Sequence, residues 1–219
     1  MMEEEAKVWY ACYGSNLLKE RFSCYIGGGR PANAKRVYPG CTNKTLPEKS
    51  KGITINGELY FAKSSKTWSG GGAGFIQSNF DKSIETLGRM YLITQQQFVD
   101  LVQQEIKFEG DFDIDLQQVI KNRSLDMKNN SWYGKIIYLG EDEDSPIFTF
   151  TNEEYLKDEI NPPHEFYLKI IIDGLKETYQ MSDNEIEAYL KNKEGIKGVP
   201  IEDKLPELIK ADRNFLIFD

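Results

Sequence analysis

The sequence predicts an α+β domain, a small curled β-sheet with flanking helices. Strand-like runs fill much of the first 150 residues, two helical segments interrupt them, and helical patterning takes over after Asn152. The strands are separated by long connections, which favours a curled sheet over a doubly wound one. A chain of 219 residues, 40% hydrophobic and 12% aromatic, is large enough to bury a core and is unlike a disordered one.

In chain order, Val8-Trp9-Tyr10 is a short run of β-formers and reads as a strand. Gly14 then allows a backbone conformation that a side chain would forbid. Ser15 or Asn16 caps a helix through Leu17–Phe22, which Gly27-Gly28-Gly29 ends. A strand, a tight turn and a helix start together gather unpaired N–H groups at the positive end of a helix dipole. Such a place suits a carboxylate or a developing oxyanion. Residues 30–52 read as a loop with a short strand near Arg36–Tyr38, and Ile53–Phe61 as a hairpin turning at Asn56-Gly57. The glycines between Lys66 and Gln77 lack the Lys-Ser/Thr of a phosphate loop and the Gly-x-Gly-x-x-Gly of a dinucleotide fold. They read as a glycine-lined strand that lets another chain or a ligand approach the backbone.

Glu85–Ile93 is a further strand. Thr94, with Gln97 three residues on, forms a capping box and opens a helix through Ile106. Phe98, Leu101 and Val102 share one face of it, and Glu105 falls on that same face. Two readings follow: a frayed, solvent-facing Glu, or a partly desolvated carboxylate with a raised pKa, suited to general-base work. Asp111–Asp115 imitates the start of a calcium loop, but Leu116 stands where Gly is needed and Asn122 where the closing Glu belongs. Trp132–Leu139 and Ile147–Phe150 are strands joined by the acidic turn Glu141–Pro146, read as a solvated turn. Pro162-Pro163 starts a helix carrying Phe166, Tyr167, Ile170, Ile171 and Leu175, in which spacing makes Tyr167 a core residue. His164 is the sole histidine and reads as structural or exposed, which disfavours a His-based triad or a multi-His metal site. Ser182 and Glu185 form a second capping box, opening a helix to about Leu190. Residues 1–181 are taken as the domain and 182–219 as a helical extension packed on it, whose apolar end Asn214–Asp219 is expected to dock.

A net charge of −8 makes nucleic acid and anionic membrane surfaces poor partners. The acidic Met1–Glu5 is unlike a secretory leader, the apolar stretches are too short to span a bilayer, and three cysteines lack metal-ligand spacing. A reduced, cytoplasmic protein is expected.

Tyr13-Gly14-Ser15-Asn16-Leu17 resembles the signature loop of the γ-glutamylcyclotransferase-like family. Lys66–Ala73 with Gln77-Ser78 resembles its Trp-x-Gly-Gly segment, and Leu87–Tyr91 through Leu101–Glu105 resembles the segment ending in its catalytic Glu. Pro163 through Ile171 resembles its late helix, whose Tyr reaches the pocket; the four segments stand in order over roughly residues 7–180. The resemblance implies a barrel-like mixed fold with a cavity above the Tyr13–Leu17 loop. It implies an aminoacyl cyclotransferase (a C–N lyase) that closes a γ-glutamyl group into 5-oxoproline and releases an amine or amino acid. Glu105 would be the base, the N–H groups around Gly14, Ser15 and Asn16 the oxyanion donors, and Tyr13, Leu17, Gly70, Gly71 and Tyr167 pocket residues. The chemistry requires no metal or organic cofactor and a small γ-glutamyl substrate; a homodimer is left open. Two alternatives stand beside it: a cyclotransferase acting on a γ-glutamylated biosynthetic intermediate, and a module that senses a small carboxylate without turnover.

Overall fold

Alternation along the first strand divides the interior in two. In β1 (Lys7–Cys12), Trp9 and Ala11 enter one apolar layer, while Val8, Tyr10 and Cys12 enter the other. That is the period-two consequence of the pleat. The computed structural model describes residues 5–31, 36–127 and 130–212. In it β1 lies inside a six-stranded sheet with β2 (Ser50–Ile55), β5 (Thr86–Thr94), β6 (Ser124–Asp126), β7 (Lys135–Asp142) and β8 (Ser145–Thr151), in the order β2-β5-β1-β8-β7-β6. β1 runs antiparallel to β5 and parallel to β8. A separate two-stranded sheet pairs β3 (Leu59–Ala62) with β4 (Ala73–Ile76). The architecture is mixed α+β with flanking helices.

Helices cover both faces. On the Tyr10 side lie α1 (Lys19–Gly27), α2 (Gln95–Ile106) and α3 (Leu116–Asn122), through Phe22, Tyr25, Phe98, Leu101, Val102 and Val119. On the Trp9 side lies α4 (Glu165–Tyr179), a helix with nearly all of its first ten residues buried. α5 (Asp183–Leu190), α6 (Pro200–Asp203) and α7 (Leu205–Lys210) extend the same layer with Ile186, Leu190, Ile201, Leu205 and Leu208. The segment Asn214–Asp219 lies outside the described residues.

The capping boxes at Thr94/Gln97 and Ser182/Glu185 both form. Each cap stabilises its helix by roughly 1 kcal/mol relative to Ala. His164 takes a structural place: its Nδ1 accepts from the N–H of Phe166 and caps α4. Asp115 caps α3 by accepting from Gln118. The acidic turn carries Glu143 and Asp144 at positive φ, and Asp142 and Glu143 pair with Lys49 and Lys51. Those pairs are exposed and screened by solvent, so they add little to stability.

Three local expectations are corrected. Asn56-Gly57 does not turn a hairpin, because β2 pairs with β5 and β3 with β4, in different sheets. The dipeptide is held from outside: Asn56 Nδ2 donates to Ile84 O, and Thr86 Oγ1 donates to Gly57 O at 2.7 Å. Neither Ser15 nor Asn16 caps α1. A 3₁₀ turn over Ser15–Leu17 intervenes, Leu18 occupies the cap without a side-chain bond, and Asn16 reaches Tyr10 instead. Near Arg36–Tyr38 only an isolated bridge forms, between Gly29 and Tyr38. Among the described residues no helix is long and apolar enough to cross a membrane.

Candidate active site

Where β1 ends, the chain passes through Tyr13 and Gly14 into the 3₁₀ turn, and this turn forms one wall of a cavity of about 430 Å³. Buried contacts clamp the turn from behind. Tyr91 Oη donates to Asn16 O at 2.9 Å, and Arg89 Nη1 donates to Leu17 O at 3.2 Å while pairing with Glu177 at 2.6 Å. α4 presses on the turn through Gly174, where an added Cβ would stand 2.4 Å from that of Leu17.

Gly14 is required here for space. Its φ of −115° is accessible to any residue, but an added Cβ would lie 2.8 Å from Tyr167 Oη. Tyr167 Oη accepts from the N–H of Gly74 at 3.0 Å, with a weaker contribution from the N–H of Ser15. Its hydroxyl thus ties β4 to the turn. Tyr13 Oη donates to Phe150 O at 2.7 Å, and Tyr133 Oη to Gly74 O at 3.1 Å. Asn16 is buried and lines the cavity; its Nδ2 donates to Tyr10 Oη, whereas its Oδ1 has no partner among the described residues.

Glu105, half-buried in the last turn of α2, faces the same cavity. Tyrosines surround it. Burial pushes the hydroxyls of Tyr10, Tyr13, Tyr25 and Tyr133 well above their ordinary range, and that of Tyr167 up to about 12. The negative charge of Glu105 adds to the shift in all five, and at Tyr25 the carboxylate also acts as a hydrogen-bond acceptor. These phenols stay protonated near neutral pH; Tyr13 and Tyr133 commit their protons to backbone carbonyls, whereas Tyr10, Tyr25 and Tyr167 can donate to a ligand or orient the carboxylate.

Of the residues singled out in the sequence, Tyr13, Gly14, Ser15, Asn16, Glu105 and Tyr167 line the cavity together. Leu17, Gly70 and Gly71 are not among its lining residues. Leu17 is core. Gly70 sits at a φ of +87°, and a Cβ on Gly71 would be 2.3 Å from the backbone nitrogen of His164, so the segment's glycines serve turn geometry and chain packing. Sequence reading missed Tyr10, Tyr25, Trp68, Tyr133 and Arg21, all on the cavity wall. Arg21 stands four residues after Leu17 and four before Tyr25, so helical spacing could have flagged it as a charge on a buried stripe. Among the described residues, no three His, Cys, Asp or Glu side chains are grouped to hold a metal ion.

No family model matches the chain. A curated relative, named Histone deacetylase 5, from Arabidopsis thaliana, is 35% identical over 198 residues. That match takes in 84% of this chain but only 30% of the relative, so the chain spans less than a third of the relative's length. An uncharacterized protein from Homo sapiens superposes with a TM-score of 0.48 and 20% identity, covering 94% of this chain and 100% of that one. A solved γ-glutamyl cyclotransferase superposes with a TM-score of 0.44 and 18% identity, covering 97% of this chain and 92% of that one.

Proposed function

We propose that the chain is a γ-glutamyl cyclotransferase-like enzyme. The observation that supports this most is that the Glu105 carboxylate and the Tyr13–Asn16 turn, distant in sequence, line one tyrosine-walled cavity. In this reading Glu105 takes a proton from the α-ammonium of a γ-glutamyl group, and the freed amine attacks the γ-carbonyl carbon. The new C–N bond closes a five-membered lactam. The tetrahedral oxyanion is met by N–H groups of the turn, which the start of a helical turn leaves without intrahelical acceptors. Collapse breaks the C–N bond to the departing amine, which receives its proton from Glu105, leaving 5-oxoproline. Nucleophile and electrophile belong to one molecule, so the protein's main task is to hold it folded back on itself. No co-reactant is consumed.

The test is 5-oxoproline release from γ-glutamyl dipeptides and γ-glutamyl amines by wild type and Glu105→Gln. Removing the base is expected to slow release by about 10²–10⁴-fold. Because Glu105 is half-buried, the variant should keep its fold. Release that survives the substitution would remove Glu105 from the mechanism.

A further inference from the structure

The charge of the cavity opposes that of the chain. Arg21, Arg36, Lys66 and Lys107 line it against Glu105, the one carboxylate among the described lining residues, in a protein of net charge −8. None of these four cations joins an ion pair among the described residues. Arg21 is the extreme case, being only 3% exposed. Its Nη2 donates to Tyr38 Oη at 2.7 Å, and its Nε is buried without a partner among the described residues. Its guanidinium carbon lies 4.6 Å from the Trp68 ring. Arg36 donates to Gln104 O at 3.0 Å and lies 4.6 Å from the ring of Tyr38, which Arg21 also approaches at 5.6 Å. Two guanidinium groups thus share one ring with no ion-pairing carboxylate on either of them among the described residues, and Lys66 and Lys107 are exposed. Taking a cation out of water with no anion beside it is costly, and a second cation nearby adds to the cost. A bound anion reverses both penalties.

We propose that Arg21 and Arg36 form a subsite for the departing half of the substrate, and that the amine released is an acidic amino acid bearing two carboxylates. The inference rests on the cyclotransferase reading above. A γ-glutamyl unit brings one ammonium, which Glu105 meets, and one α-carboxylate, which a single cation answers while the N–H groups of the turn face the oxyanion. At least three of the four cations are then surplus to that half of the substrate. A departing amino acid with an acidic side chain supplies two further carboxylates, each matching the planar fork of a guanidinium. Lys66 and Lys107 raise the local anion concentration at the mouth.

The experiment compares γ-glutamyl-glutamate, γ-glutamyl-alanine and γ-glutamyl-ethylamide, whose departing parts carry two, one and no carboxylates. Turnover is measured on wild type, Arg21→Gln and Arg36→Gln, and binding by calorimetry on Glu105→Gln. In wild type, kcat/KM should fall about tenfold with each carboxylate lost, chiefly through KM, as expected for one charged hydrogen-bonded contact. Added salt should raise KM for the diacid most and for the ethylamide least, a readout that needs no variant. Arg21→Gln and Arg36→Gln should each flatten the ranking; Arg36 is only half-buried, so its variant tests the subsite even where Arg21→Gln does not fold. Equal kcat/KM for the three compounds, or a ranking unchanged in folded Arg36→Gln, would overturn the subsite while leaving the cyclotransferase reading intact. Ranked binding to Glu105→Gln with no 5-oxoproline from any compound would support the subsite and overturn the reaction.

Discussion

Replacing Tyr167 with Phe separates what the hydroxyl does from what the ring does. The ring lies 4.5 Å from that of Trp68, tilted by 30°, and meets Phe61 edge-on, and Phe keeps both contacts. What disappears is the acceptor for the buried N–H of Gly74, together with the weaker contact from Ser15. A buried donor left unsatisfied costs roughly 1–3 kcal/mol, so about 2 kcal/mol is expected. At about 2–4 °C per kcal/mol for a chain of this size, the thermal midpoint should drop by about 4–8 °C. Urea unfolding followed by circular dichroism measures the first quantity and a thermal scan the second. The same variant should lose 5-oxoproline release, because the turn loses its tie to β4. A change in stability below about 0.5 kcal/mol, the range of an ordinary surface substitution, would refute the clamp as a structural element.

Further expectations concern packing and protonation. Gly174→Ala forces a methyl group to within 2.4 Å of Leu17 Cβ and should cost about 1–3 kcal/mol in urea unfolding, with a parallel loss of release. Gly71→Ala meets the backbone of His164 and should lower stability by a similar amount without changing the KM of the fraction that folds. Burial pushes the Tyr167 hydroxyl up to about 12 against an ordinary 10.0, and pushes those of Tyr10, Tyr13, Tyr25 and Tyr133 well above the ordinary range. From pH 10 upward the unfolded chain therefore releases protons that the fold retains. The stability these phenols contribute is full below pH 10 and declines as pH rises from there, the share of Tyr167 being lost as pH passes through about 12, which chemical unfolding at stepped pH would reveal. Burial pushes the thiols of Cys12 and Cys41 up to about 12, while Cys24 is partly exposed. An aromatic disulfide reagent at pH 8 should consume one thiol per native chain and all three in urea.

Local patterns carried far in this sequence, and non-local ones did not. The Thr94/Gln97 box and the stripe of Phe98, Leu101 and Val102 announce α2, and the same spacing puts Glu105 on the inward face. Each of those signals is complete within one or two helical turns. The pairing of β2 with β5 is not, so Asn56-Gly57 looked like a hairpin until Ile84 and Thr86 were brought to it by the fold. Gly14 was visible as a glycine, but its reason is a hydroxyl 153 positions further along the chain. Arg21 was hidden by its type, since an arginine on a short helix ordinarily faces solvent. The acceptor through which His164 caps α4 is a ring nitrogen, and histidine is not among the residues usually read as caps.

The parallel contact between β1 and β8 has a consequence for how the molecule comes into being. The strand at residues 7–12 is made well before its parallel partner at 145–151. During vectorial synthesis, β1 can pair with β5 but presents its other edge unprotected until β8 arrives. Open edges of this kind invite misregistered pairing and chaperone capture. The turn that follows β1 also waits, because Tyr167 and Gly174 belong to a helix made later still. A ribosome halted before β8 would hold the Tyr13–Asn16 sequence with no cavity around it. In refolding, the step that joins these distant strands should set the rate.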